Sequence, residues 1–198
     1  MIIAHHIILT SYGHWLPNDP RGSLSTELRN PQLQSLGAIH LGRKKDQPSL
    51  AQIRAFYAKA QKFLQHRLLW YGDDCRRAIG EAFGSAVRSQ RLTCYACGVM
   101  RNHAHLLIRR HRLKARKMTD MLKEVSRDAL RNRGFAPRNH PVWSDDPYVA
   151  YKDTPDGVRA AIDYIQGNFK KHGIPPQEWD FVVSYDDWPY HKKPRVPR

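Results

Sequence analysis

The chain has 198 residues, enough for one domain of ordinary size with a substantial core. Hydrophobic residues make up 41% of it and no run of about 18 apolar residues occurs, which excludes a disordered chain and a spanning helix. Lys and Arg number 33 against 18 Asp and Glu, a formal charge of +15 that suits a phosphate backbone as partner.

Ile2 to Ser11 is rich in Ile and Leu and reads as a first strand. No charged-then-apolar leader precedes it, so a cytoplasmic location is expected. Tyr12 to Ser49 is dense in turn residues and reads as a long irregular loop. Leu50 to Trp70 carries apolar residues at helical spacing, and Asp74 to Arg88 reads as a second helix weakened by Gly80 and Gly84. Leu92 to Met100 and His103 to Arg109 read as antiparallel strands joined by a tight turn at Arg101-Asn102. Regular alternation would put Cys94 and Cys97 on opposite faces; with Cys75 they are expected to be unpaired, Cys94 and Cys97 as small packing groups. A basic run follows, from Arg109, Arg110 and Arg112 to Lys114 and Lys117.

Met118, Met121, Leu122, Val125 and Ala129 define the next helix, and 135–153 reads as a connector. The last helix is well punctuated. Thr154 suits its N-cap, Pro155 its first position, and Gly173 its C-terminal stop. Trp179 to Tyr185 reads as a short strand before a basic tail. The expected class is α+β, a mainly antiparallel sheet with helices packed on it. One domain is expected over 1–178, with a long loop at 12–49, then a C-terminal strand and tail at 179–198.

Two segments carry chemistry. His103 and His105 are two apart in a strand, so their imidazoles share a face and make half of a divalent-metal site. Tyr164 and Asn168 are four apart on the last helix, so they stack beside its apolar stripe of Val158, Ala161, Ile162, Ile165 and Phe169, with Lys171 nearby.

A His-hydrophobic-His strand followed by a Tyr-Ile-x-x-Asn helix resembles the HUH single-tyrosine transposases, and among them the REP-associated tyrosine transposases. Val99-Met100-Arg101-Asn102-His103-Ala104-His105-Leu106-Leu107 is similar to the family's strand motif. Met121-Leu122-Lys123 and Val142-Trp143 are similar to further recurring elements. Two departures are Arg101, where proline is common, and Phe169, where proline often follows the asparagine. The resemblance implies a ferredoxin-like sheet with the histidines on a central strand. It implies a metal-dependent nickase and transposase that cleaves and rejoins single-stranded DNA beside hairpins. Tyr164 would be the nucleophile, forming a 5′-phosphotyrosine and a free 3′-OH. His103, His105 and Asn168 would hold Mg²⁺ or Mn²⁺. Arg109, Arg110, Arg112, Lys114 and Lys171 are candidate DNA contacts, and the active form is expected to be a monomer or homodimer. The alternatives are a nucleic-acid-binding protein of the same fold without strand transfer, or a related initiator-type nickase or nuclease.

Overall fold

The computed structural model describes residues 1–28 and 30–190, so the tail expected at 191–198 lies outside the described residues. In chain order its elements are β1 (Ala4–Thr10), α1 (Leu50–Ala60), α2 (Asp73–Ser89), β2 (Cys94–Val99), β3 (His103–Arg109), α3 (Ala115–Asn132), β4 (Tyr148–Lys152) and α4 (Pro155–His172). The chain divides into two compact units where the sequence suggests one domain with a loop. One is Met1–Thr10 with the chain from Trp70 onward; the other is Ser11–Leu69.

The first unit is an antiparallel sheet in the order β2-β3-β1-β4. With α2 leading into β2 and α3 joining β3 to β4, it has the βαββαβ order and the ferredoxin-like arrangement that the resemblance implies. β3 is central. Thr10 lies opposite His103, Ile8 opposite His105, and His6 opposite Leu107. Cross-strand partners share a face, so these side chains form one side of the sheet. α4 packs on that side, where Ala4, Ala96 and Leu107 meet Val158, Ala161 and Ile165. On the other side Ile7, Leu9, Leu106 and Ile108 are fully buried, each worth about 2 kcal/mol of transfer free energy. α2 and α3, packed on each other and on β2 and β1, cover it.

A bulge in β2 corrects the expectation for the cysteines. Cys94 pairs with Ile108 and Cys97 with Leu106, the register shifting between Cys94 and Ala96. The extra residue, Tyr95, turns both thiols onto one face. Both are buried and unpaired, and burial pushes Cys94 up to about 12.

The 135–153 connector holds the edge strand β4, which pairs with β1. No alternation announced it, because Tyr148 and Tyr151 are exposed and the residues between them are only half-buried. The Val-Trp and Leu-Lys elements anchor this stretch. Trp143 donates its indole N–H to Ser126 Oγ at 2.9 Å and stacks on Phe83. Lys123 donates to the carbonyls of Ser144 and Asp145 at 2.6 and 2.7 Å.

Trp179 to Tyr185 is not a strand. One bridge, Cys94 with Val182, links it to the sheet. Its aromatic rings go elsewhere: Trp179 and Phe181 seat on α2 over Gly80 and Gly84. The Gln177 amide then pairs with both the N–H and the C=O of Val99, at 2.9 and 2.7 Å, and so protects the β2 edge.

The second unit has a core of its own, with Leu16, Leu33, Phe56, Tyr57 and Ala60 packed against Ile53, Leu64 and Leu68. The 12–49 segment is therefore not a bare loop. It contains a 3₁₀ turn at Pro31–Leu36 and a bridge between Ser23 and Leu41. α1 starts at a Ser49/Gln52 capping box. It ends at Ala60, well short of the expected Trp70, and a 3₁₀ turn leads to extended Leu64. The Gln61 side chain takes over the backbone partners there, donating to His66 O and accepting from Leu68 N–H.

Gly80 is a packing notch and not a weak point of α2. A Cβ at this position would lie 2.0 Å from the Trp179 ring. Gly80→Ala would gain up to about 1 kcal/mol of helix propensity. Overpacking should outweigh that gain and leave a net destabilisation of about 1–2 kcal/mol. Urea unfolding checks this; a raised midpoint would mean that the indole swings aside freely.

Candidate active site

α4 forms as its sequence predicts. Thr154 accepts from Gly157 N–H at 3.1 Å, Pro155 opens the helix, and Gly173 ends it at φ +60°. Val158, Ala161, Ile165 and Phe169 are buried on the sheet. Tyr164, Asn168 and His172 follow one another at intervals of four and line one flank.

That flank meets the β3 histidines. The rings of His103 and His105 are 4.9 Å apart, centre to centre, on the α4 side of the sheet. Tyr164 packs edge-on against His105 at 5.6 Å, and His172 against His103 at 5.2 Å. Asn168 lies between Tyr164 and His172 on the helix and is 3% exposed. Tyr164 is 53% exposed, so its ring is held at the cluster while remaining open to solvent.

His6 completes the cluster and was not singled out in the sequence. Its Nε2 lies 3.0 Å from His105 Nδ1, and its ring is 5.9 Å from that of Tyr164. The available signal was pairing: β1 beside β3 brings every second residue of β1 onto the histidine face. His172 lies at the same interval of four from Asn168, which places it on the same flank.

The imidazoles are oriented, and burial keeps those of His6 and His105 neutral. His103 Nδ1 is 2.8 Å from Asn102 Oδ1, a bond that requires the proton on Nδ1. Burial, reinforced by His6, His172 and Lys171, lowers His105 to about 3. Burial, then the charge of Lys152, lowers His6 to about 4. His105 Nε2 is buried with no hydrogen-bond partner. In the tautomer that donates from His105 Nδ1 to His6, the Nε2 lone pair is left for a ligand. Asn168 donates its amide N–H to the Tyr164 carbonyl at 2.7 Å, which leaves Oδ1 as its acceptor.

These groups fit a divalent cation. Neutral, outer-bonded imidazoles and an amide oxygen are suitable donors, and an orphaned buried nitrogen would gain a partner. No group of three His, Cys, Asp or Glu side chains able to hold a metal occurs among the described residues. A site on the two β3 histidines would therefore need the Asn168 amide oxygen as its third protein donor.

The candidate DNA contacts separate. Lys171 lies beside the cluster, close enough for its charge to act on His105. Arg109 is engaged elsewhere, 3.7 Å from Asp186 and stacked 4.1 Å over the Trp188 ring. Arg110, Arg112 and Lys114 follow the end of β3 opposite His103, about 20 Å along the strand. With His5 and His111 they border a depression of about 320 Å³. The basic run is thus not beside the histidines, because the strand carries it away from them.

No protein-family model and no curated protein matches the chain. Among the solved structures similar to it are these two. One is a REP-associated tyrosine transposase bound to a REP hairpin, with 11% identity, a TM-score of 0.48, and coverage of 90% of this chain and 74% of that one. The other is a candidate transposase from Deinococcus radiodurans R1, with 14% identity, a TM-score of 0.42, and coverage of 88% and 94%.

The lowered histidines set a pH dependence. In the unfolded chain they protonate near 6.5, whereas the folded chain resists protonation down to about 4 at His6 and about 3 at His105. Between those limits the unfolded state binds more protons, so stability falls as the pH drops from 6.5 toward 4. Urea unfolding at pH 7 and pH 4.5 should show this loss, and His6→Gln with His105→Gln together should shrink it. An equal loss in the double variant would place the titrating groups elsewhere.

Proposed function

We propose that the chain is a DNA strand transferase that attacks a single-stranded DNA phosphodiester with Tyr164. One observation carries the reading: a half-exposed tyrosine stands edge-on to His105, whose buried Nε2 has no partner. The charge of +15 supplies a field suited to a polyanion.

The Tyr164 hydroxyl oxygen bonds to phosphorus and the P–O3′ bond breaks. The 5′-phosphate remains on the tyrosine, and the hydroxyl proton ends on the departing 3′ oxygen. Attack by a DNA 3′-OH reverses the step and rejoins strands, with no nucleotide cofactor needed. A ring anchored against two imidazoles gives its oxygen a restricted range of positions, which lowers the entropic part of the barrier. His103, His105 and Asn168 would hold a divalent cation, which when bound polarises the scissile phosphate and offsets its charge. His6 and Asn102 fix the orientation of the two imidazoles. Lys171 adds positive charge beside the phosphate path. The substrate class is single-stranded DNA flanked by a hairpin, on the motif resemblance of the strand and helix.

The test is denaturing electrophoresis with end-labelled hairpin DNA and Mn²⁺. The wild-type chain should form a protein–DNA adduct and release a free 3′-OH strand. Tyr164→Phe should keep fold and DNA affinity but lose adduct and cleavage by at least 100-fold. His105→Ala and excess EDTA should each lower cleavage comparably while binding persists. An adduct in Tyr164→Phe would move the nucleophile to another tyrosine. Cleavage without an adduct in either protein would favour hydrolysis by water, and binding without cleavage would favour a non-catalytic DNA-binding protein.

A further inference from the structure

The Ser11–Leu69 unit contains a polar network that the strand-transfer chemistry does not use. Asp19 is 1% exposed and takes both arms of a bidentate Arg21 pair, at 2.8 and 2.7 Å. Tyr57 donates its hydroxyl to Asp19 and accepts from the Trp15 N–H at 2.7 Å and from Arg21 at 3.1 Å. The Arg21 guanidinium lies 3.6 Å over the Trp15 ring.

Everything in this network converges on Trp15. Its φ is +54°, a left-handed conformation that bulky residues rarely adopt. The Tyr57 bond to its N–H holds the backbone there, and Arg21, fixed by Asp19, sets the plane of the indole. Yet the residue is 39% exposed. A large apolar ring held in a strained backbone, backed on one face by a locked guanidinium and open to water, is arranged to meet something flat.

The surroundings are cationic. The 40–47 segment is tied to 21–23 by Ser23 N–H to His40 O (3.0 Å), Gly42 N–H to Ser23 O (2.7 Å) and Lys44 N–H to Arg21 O (2.9 Å). Gly22 permits this approach at φ +91°, where a Cβ would lie 2.0 Å from Gly42 O. Arg43 and Lys45 are exposed on the tied segment. Between positions 11 and 69 the sequence has nine Lys and Arg against three Asp and Glu, so the unit favours an anionic partner. A flat apolar face beside cations matches an unpaired nucleobase and its phosphates.

We infer that Trp15 is a stacking platform for an unpaired base of single-stranded DNA, with Arg43, Lys44 and Lys45 binding the adjacent phosphates. This rests on the reading that the chain acts on single-stranded DNA, but it does not depend on Tyr164 chemistry.

The test uses the full chain and fluorescence anisotropy with labelled oligothymidine and an abasic oligomer of equal length. The wild-type chain should prefer the base-bearing strand. Trp15→Gly suits the positive φ, so it removes the ring without straining the fold, and thermal unfolding verifies this. It should weaken oligothymidine binding by about tenfold and leave abasic binding unchanged. Trp15→Phe should restore most of the preference. Equal wild-type binding to the two oligomers overturns the platform, as does unaltered binding in Trp15→Gly. Covalent capture of hairpin DNA is assayed in parallel. Capture with no Trp15 effect rejects the platform and keeps strand transfer. A Trp15-dependent preference without capture keeps the platform and rejects strand transfer.

Discussion

The register of β3 against β1 is the constraint on which the candidate active site depends. Side chains alternate along a strand, so a slip of one residue would turn His103 and His105 under α2 and α3. The register is held from both faces. Ile7, Leu9, Leu106 and Ile108 fill the core on one side, and Ala4 and Leu107 pack under α4 on the other. Placing two imidazoles on the α4 face therefore follows from burying the aliphatic residues between and beyond them. The β2 bulge allows a local irregularity at Tyr95 without disturbing the β3–β1 pairing.

The helix and the strand then meet at mismatched spacings. Two residues along a strand span about 6.7 Å, whereas eight along a helix span about 12 Å. Tyr164 and His172 bridge the difference because they are long enough to lean onto His105 and His103. The shorter Asn168 occupies the middle and is buried there. This division of labour gives a physical reason for the order of residue sizes on the flank. A longer residue in the middle would press on the imidazoles, and a shorter one at the tyrosine position could not reach them.

Much of this was legible because it was local. The α4 caps, its apolar stripe and the His-x-His alternation are each written within a few residues, and the structure follows them closely. What was missed depends on distant partners. His6 acquires its place only when β1 pairs with β3. The cysteines share a face only because one residue bulges. Gly80 and Gly84 look like poor helix formers until Trp179 and Phe181 fill them. The core of the 11–69 unit joins Phe56 and Tyr57 of α1 to Leu16 and Leu33, which are too isolated in sequence to show a period. Turn residues dominate 12–49, so composition alone suggests a loop there.

Burial has opposite electrostatic consequences in the two units. Around β3 it keeps imidazoles neutral, because a proton there would be poorly solvated and would face Lys152, His172 and Lys171. A neutral imidazole keeps a lone pair, so an enclosed part of a strongly basic chain holds electron-pair donors. Around Tyr57 the buried groups are an acid and a base that satisfy each other. Asp19 has no exposed surface of consequence, and the Arg21 and Tyr57 bonds replace the water it lacks. Such a pair contributes little net stability once desolvation is counted, since well-packed apolar residues could fill the same space. Its physical effect is orientation. The carboxylate fixes the guanidinium, the guanidinium fixes the indole plane, and the tyrosine hydroxyl fixes the backbone beneath it. Asp19, Arg21 and Tyr57 each make more than one of these bonds, so displacing any one of them disturbs the others. The two polar clusters share a logic, with an outer side chain held by more deeply buried ones.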